Sequence, residues 1–332
     1  PIYNCRDPLR MLMLIHSASQ VVTLTETPQR SEALGELAII PDGALLLDGE
    51  VIAEVGATSD LLAKYPNEEK LDASGRAVIP GFVDPHTHLV WAGNRAAEFE
   101  RRLEGASYME IMAGGGGIQS TVNATRTASF GDLLGQTRQH ARDIFDMGTT
   151  SAEAKTGYGL ELGSELKQLE VLLKLDDEGP LEIFPTFLGA HAIPKEYKEN
   201  PDGYVNLIVN EMLPGVKTWW AANAAGRPLP FVDVFCEGGA FSLSQSRLIL
   251  ETAKSLGFPL KIHVDEFANL GGASLAAQLG AVSADHLVKT SAEDIFALAE
   301  SGTAAVSLPC TPFGLAEREY SPAKELIASG AL

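Results

Sequence analysis

The stretch VIPGFVDPHTHLVWAGNR, residues 78–95, runs an apolar segment into two histidines, His86 and His88, with Arg95 shortly beyond. Side chains at i and i+2 share one face of a strand and lie on opposite sides of a helix. Read as a strand, the run presents two imidazoles to one place, which is the start of a metal site.

Outward from this stretch the sequence has two textures. Upstream, GALLLDGEVIAEVG (43–56) reads as two short apolar strands joined at Asp48-Gly49, a dipeptide suited to a tight hairpin turn. Residues 1–76 are expected to form a small N-terminal β-sandwich module. Downstream, residues 77–332 alternate short β-rich runs with longer helical stretches, the pattern of βα units around a parallel sheet. Strands are expected at Ala77–Val83, Thr149–Ala154, Glu182–Leu188, Phe231–Cys236, Leu260–Val264, Ala281–Ala284 and Ala304–Leu308. Helices are expected at Phe130–Met147, Ser164–Asp177, Gln245–Leu256, Gly272–Leu279, Ala292–Ala299 and Ser321–Ala328. The fold class is α/β, a TIM-like (β/α)8 barrel with seven strands in evidence. The eighth would begin at LIASGAL (326–332), where the sequence stops. Two open barrel edges lead to the expectation that the 332-residue chain is poorly soluble or inactive without a further segment.

Composition narrows the partners. Lys+Arg 25 against Asp+Glu 44 gives a net charge of -19, which excludes nucleic-acid binding by broad phosphate neutralisation. No run of 18 apolar residues exists, so no membrane span is expected. LRMLMLIHSAS (9–19) imitates the flanks of a signal peptide, but its apolar part is too short, and it reads instead as the lead into a first strand at Gln20–Thr25. With no methionine before Met11, residues 1–10 read as an upstream extension. Cys5, Cys236 and Cys310, odd in number and widely spaced, are expected as free thiols of a cytoplasmic protein.

Five of the seven histidines fall at or just past an expected strand's C-terminal end: His86, His88, His191, His263 and His286. That rim is where barrel enzymes place their chemistry. His16 and His140 lie elsewhere and read as structural. Imidazole suits zinc and iron alike, and a catalytic site takes three or four protein ligands with one position left open. His86, His88 and His263 supply three. In KIHVDEF, Glu266 follows His263 by three residues and reaches the loop, where a carboxylate can take a proton from water activated by the ion. By its local sequence alone Glu266 reads as an exposed loop carboxylate, whereas His286 in SADHL, which also reads as a cap residue, is favoured for catalysis by its rim position.

PGFVDPHTHLVWAGNR resembles the first-strand signature of the amidohydrolase superfamily. Together with YMEIMAGGGGIQSTVNATR (108–126), KTGYGL (155–160), GAHAIP (189–194), DVFCEGGAF (233–241), KIHVDEF (261–267) and SADHL (283–287), it resembles the imidazolonepropionases, enzymes of histidine degradation, from about residue 20 to the last. The resemblance implies one zinc or iron ion held by His86, His88 and His263 with an aspartate on the eighth strand, beyond Leu332. It implies Glu266 and His286 as catalytic residues, and Arg95, Tyr108, Tyr158, His191 and Glu266 as contacts to a small anionic substrate. It also implies a homodimer. Arg95 independently offers the planar fork that grips a carboxylate. AGGGG (113–117) lacks the strand-glycine-helix context of a phosphate loop and reads as a mobile lid. The expected reaction is hydrolysis of the ring C–N bond of 4-imidazolone-5-propanoate to N-formimidoyl-L-glutamate. The alternatives are a cytosine- or guanine-type deaminase, whose neutral base leaves Arg95 no partner, and a non-catalytic truncated scaffold that has lost its metal.

Overall fold

The computed structural model describes residues 12–24, 28–105 and 116–332; Cys5, Tyr108 and most of AGGGG lie outside them. The chain divides into two compact units, Pro1–Gly81 and Phe82–Leu332. The first holds a five-stranded sheet of β1 (Leu12–Val22), β2 (Ile39–Asp48), β3 (Val51–Ala57), β4 (Glu69–Asp72) and β5 (Ala77–Val78). Strand β1 pairs antiparallel with β2 and parallel with β4 and β5. The helix Thr58–Lys64 lays Leu61 on Leu14, Ala44 and Leu46. Thr58 fastens its start, donating through Oγ1 to Gly43 O (3.1 Å) and accepting from Ser17 N (3.0 Å).

The sequence reading places the first strand too late. Met13 to Ser19, weighed as a signal-peptide imitation, forms the middle of β1 with Leu14 and Ala18 fully buried. A register shift between Ile15 and Ala18 spaces the buried residues by four and then three, which hides the strand's period of two. The expected strand Ala77–Val83 is likewise two elements. Ala77 and Val78 pair with Gln20 and Val21 in the first sheet, and a new strand starts at Phe82. Pro80 between them has no N–H to give a ladder.

The second unit is a seven-stranded parallel sheet in sequence order, a nearly closed barrel: β6 (Phe82–Thr87), β7 (Thr149–Lys155), β8 (Glu182–Ala190), β9 (Phe231–Cys236), β10 (Lys261–Val264), β11 (Ser283–His286) and β12 (Ala304–Ser307). Parallel neighbours need long crossovers, and helices supply them. Phe130–Asp146, Leu162–Glu178, Leu243–Ser255, Gly272–Leu279 and Ala292–Ser301 match expected helices to within a few residues. Beyond the last helix, Ala323–Ser329, the carbonyl of Leu332 accepts from Ala305 N of β12 at 2.8 Å.

Between β8 and β9 runs a helical stretch that the sequence reading does not assign: Pro201–Leu207, a π turn at Ile208–Met212, and Leu213–Asn223. Pro201, Gly203, Pro214 and Gly215 read as breakers, yet Pro201 sits at the helix start, where a missing N–H costs nothing. The wider π turn carries the chain up to Pro214. This stretch supports the site through Tyr204. The β8–β9 register shifts between Phe187 and Ala190, and inside the shift the buried Tyr204 hydroxyl donates to Gly189 O at 2.7 Å, two residues before His191. Tyr204→Phe leaves that carbonyl unpaired in the core. It is expected to cost about 1–3 kcal/mol, read as a lowered midpoint in urea unfolding at unchanged slope.

Candidate active site

The carboxyl ends of β6, β8, β10 and β11 bring five histidine rings together. His86 lies inside β6, His88 just after it, His191 just after β8, His263 in β10, and His286 at the last position of β11. His86 and His286 thus sit within strands the sequence reading ended earlier. Ring centroids are 4.5 Å apart for His86 and His263, 5.2 Å for His263 and His286, and 4.8 Å for the stacked pair His88 and His191. Alternation would send Asp285 and His286 to opposite faces. Both reach the site because the backbone turns left-handed at His286 and Leu287, with φ of 81° and 59°. For a bulky side chain such a turn costs on the order of 1–2 kcal/mol, and its recurrence at adjacent residues marks a functional position.

Burial favours the neutral form of His86, His88, His191 and His286. Removal from water, helped by nearby Lys155 and His263, lowers His86 to about 3. Desolvation likewise lowers His191 to about 3 and His286 to about 2, and carries His88 well below its ordinary value. A neutral imidazole has one lone pair, and which nitrogen carries it is set by the partner of the other. Here Nδ1–H of His86 donates to Asp285 Oδ2 at 2.7 Å, and Nδ1 of His263 stands 2.9 Å from Asp233 Oδ2. Both rings therefore aim Nε2 into the site, as carboxylate-backed metal ligands do.

The donor set fits a metal ion. Nε2 of His88 and Nε2 of His263 face each other at 3.4 Å. Two nitrogens each about 2.0–2.1 Å from a tetrahedral centre stand about 3.3–3.4 Å apart. His88 Nδ1 and His286 Nδ1 are buried with no hydrogen-bond partner among the described residues. One nitrogen from each of His86, His263 and His286 also lies within 4.8 Å of the other two. Among the described residues the trio that meets at this distance is therefore His86, His263 and His286, and the expected ligand His88 approaches it through His263.

The two aspartates belong to a buried charged layer that the motifs did not reveal. Lys155, wholly buried, donates to Glu153 Oε1 at 2.7 Å and Asp233 Oδ2 at 2.8 Å, and lies 3.6 Å from Asp285 Oδ2. Lys261 Nζ stands 3.5 Å from the same Asp285 oxygen and donates to Ser283 Oγ, which donates on to Asp285 Oδ1. Against a desolvation that raises them, Lys155 and the neighbouring imidazoles hold Asp233 and Asp285 well below the usual carboxylate range. A signal existed in EAK (153–155): two charges at i and i+2 on one face of an otherwise apolar strand.

Glu266 lies in the loop after β10, its Oε1 3.7 Å from His286 Nδ1. Desolvation, with the charge of Glu237 adding to it, pushes its carboxyl up to about 7. Glu237, also missed from sequence, accepts from Phe267 N (2.9 Å) and Ala268 N (3.3 Å) and so fixes the loop. Tyr158 packs edge-on to His191 at 5.2 Å and lies 5.8 Å from the His88 ring. Burial raises its hydroxyl to about 12 while the charge of Arg95 opposes the rise. Arg95 Nε donates to Glu98 Oε2 at 2.9 Å, and no other hydrogen bond to its guanidinium is formed among the described residues. Tyr108 lies outside the described residues. The structure therefore gathers His86, His88, His191, His263, His286, Glu266 and Tyr158, with Arg95 acting on Tyr158.

The chain is similar to known proteins in sequence and in fold. A family model described as "Imidazolonepropionase-like composite domain, bacteria" matches residues 43–67. Among solved structures, atrazine chlorohydrolase from Arthrobacter aurescens, complexed with zinc, aligns with TM-score 0.55 at 16% identity over 96% of this chain and 70% of its own. Guanine deaminase from Bradyrhizobium japonicum aligns with TM-score 0.54 at 17% identity over 92% of this chain and 65% of its own. At that identity they establish the fold alone. Imidazolonepropionase from Herpetosiphon aurantiacus is 48% identical over 96% of this chain and 74% of its own length, and that from Chloroflexus aggregans 47% identical over 96% and 75%. Identity at that level, over nearly all of this sequence and about three quarters of each relative, places the chain in the imidazolonepropionase family.

Proposed function

We propose that this protein hydrolyses the ring C–N bond of 4-imidazolone-5-propanoate, giving N-formimidoyl-L-glutamate, at a site for one zinc or iron ion. The observation that carries the reading is the convergence of histidines, two of them backed by buried carboxylates, beside a carboxyl raised to about 7, with an arginine near the rim. His86, His88 and His263 would hold the ion, the set the family resemblance also implies. When bound, the ion supplies Lewis acidity and lowers the pKa of water toward neutrality.

The residues divide the remaining work. Ionised Glu266 takes a proton from the attacking water and returns it to the ring nitrogen as the C–N bond breaks, so the same carboxyl serves as base and then acid. His286, 3.7 Å away and with Nδ1 unpartnered, orients the water and steadies the oxygen that gains charge as the carbonyl carbon becomes tetrahedral. Water adds across the amide, leaving a carboxylate on one side and an N–H on the other. Arg95 receives the propionate carboxylate on its terminal nitrogens while Glu98 holds Nε. Tyr158 and His191 line the substrate beside the His88 ring. A neutral nucleobase would offer the terminal nitrogens of that guanidinium no carboxylate, which favours the imidazolone substrate over the deaminase alternative.

Product analysis of metal-loaded protein with 4-imidazolone-5-propanoate tests the reading: N-formimidoyl-L-glutamate is expected, and turnover of cytosine or guanine in its place contradicts it. Glu266→Gln is expected to keep its metal and lose about 10²–10⁴-fold in kcat. In the wild type, kcat/KM falls as pH drops through the pKa of Glu266, because the protonated carboxyl is no base; the variant lacks that limb. Arg95→Met is expected to raise KM about 10- to 100-fold with kcat nearly unchanged, as loss of a charge-assisted bond in ground and transition state alike requires.

A further inference from the structure

Glu165 is a carboxylate with no exposed surface, in the first turn of the helix Leu162–Glu178. Burial alone would make a lone carboxylate there costly. Its charge is met by the backbone of the preceding loop. Oε2 accepts from Gly157 N at 3.0 Å, and Oε1 accepts from Gly159 N at 2.8 Å and Leu160 N at 2.7 Å. The remaining N–H of this run, that of Tyr158, is directed at Oε1 of the buried Gln168 at 3.4 Å, one turn along the same helix. Four consecutive backbone donors thus converge on two side chains of one helix.

The loop so gathered carries substrate-side groups. Its carbonyl at Gly157 accepts from His191 Nδ1 at 3.0 Å, and Tyr158 stands edge-on to the same ring. The fit is tight at both glycines. At Gly157, with φ of 108°, an added Cβ would lie 3.0 Å from His191 Nδ1 and from Leu188 O; at Gly159 it would lie 2.7 Å from Glu165 N. Moving the loop by a fraction of an ångström therefore moves Tyr158 and His191 together.

We propose that Glu165 is the positioning residue for substrate: its carboxylate gathers the Gly157–Leu160 amides and thereby sets both Tyr158 and His191 against the ring and propionate of the substrate. The inference rests on the reading of those two residues as substrate contacts. Backbone amides held by a carboxylate form strong, charge-assisted bonds, and supporting partners of this kind decide how well a contact residue is placed.

The test compares Glu165→Gln with Tyr158→Phe by steady-state kinetics and metal content. In Glu165→Gln one oxygen becomes an NH2 that faces backbone N–H groups, so the loop must shift. About a tenfold or larger rise in KM is expected, with kcat within about threefold and metal content unchanged. Tyr158→Phe raising KM while Glu165→Gln keeps the wild-type value overturns this inference and leaves the substrate reading intact. No change of KM in Tyr158→Phe overturns both. Parallel loss of metal and kcat in Glu165→Gln overturns the inference by showing a general structural role. Should that variant not yield folded protein, Gln168→Leu, which removes only the acceptor of Tyr158 N, carries the test. A threefold or larger rise in KM at unchanged kcat then supports the inference, and an unchanged KM overturns it.

Discussion

An ammonium with no exposed surface, that of Lys155, is the constraint on which the site depends. A buried lysine is tolerated only when its charge is met, and here Glu153, Asp233 and Asp285 meet it. Two of these carboxylates face outward to Nδ1 of His263 and His86. The layer therefore joins β7, β9 and β11 by charge and, through the same oxygens, fixes which nitrogens of β6 and β10 point into the open end of the barrel. Removing one member of such a cluster strands the others and typically costs about 3–5 kcal/mol. The arrangement of the ring nitrogens and the stability of the barrel interior are thus linked, as both rest on Lys155, joined at Asp285 by Lys261.

A second pattern recurs on the loops. Glu98 holds Arg95 and accepts from Gly117 N, Glu165 holds the amides around Tyr158, and Glu237 holds the amides that follow Glu266. Each chemistry-bearing loop is thus gathered by a carboxylate from a neighbouring segment. The acidic composition, which speaks against a nucleic-acid partner, also contributes these internal anchors. The same burial that makes them costly without partners makes their hydrogen bonds strong once satisfied.

Much of this was legible in the sequence, for physical reasons that can be named. Strands such as Phe231–Cys236 and Lys261–Val264 announce themselves as short apolar runs bounded by loops, and histidines at their ends stand out against them. His263 and Glu266 were placed correctly because a strand end and the loop after it are three residues apart. Strand ends that depend on pairing were not legible. Ala77-Val78 joins the N-terminal sheet because of Gln20-Val21, far away in sequence, and His286 reaches the site because of a left-handed turn that no local pattern demands. The roles of Asp233, Asp285 and Lys155 were hidden for a related reason. Each is informative only beside partners on other strands, and EAK alone carried a readable hint. The helices around Pro214 are not legible locally, because the π turn that lets the chain continue up to the proline has no sequence signature of its own.

The central claim is that histidines, two of them aimed by buried aspartates, would form the metal shell. X-ray absorption on the protein loaded with one equivalent of zinc measures that shell directly. The account predicts about one tightly held ion per chain, with nitrogen near 2.0–2.1 Å and the outer-ring scattering of at least two imidazoles. A shell of oxygen alone, or the absence of stoichiometric binding, would contradict it.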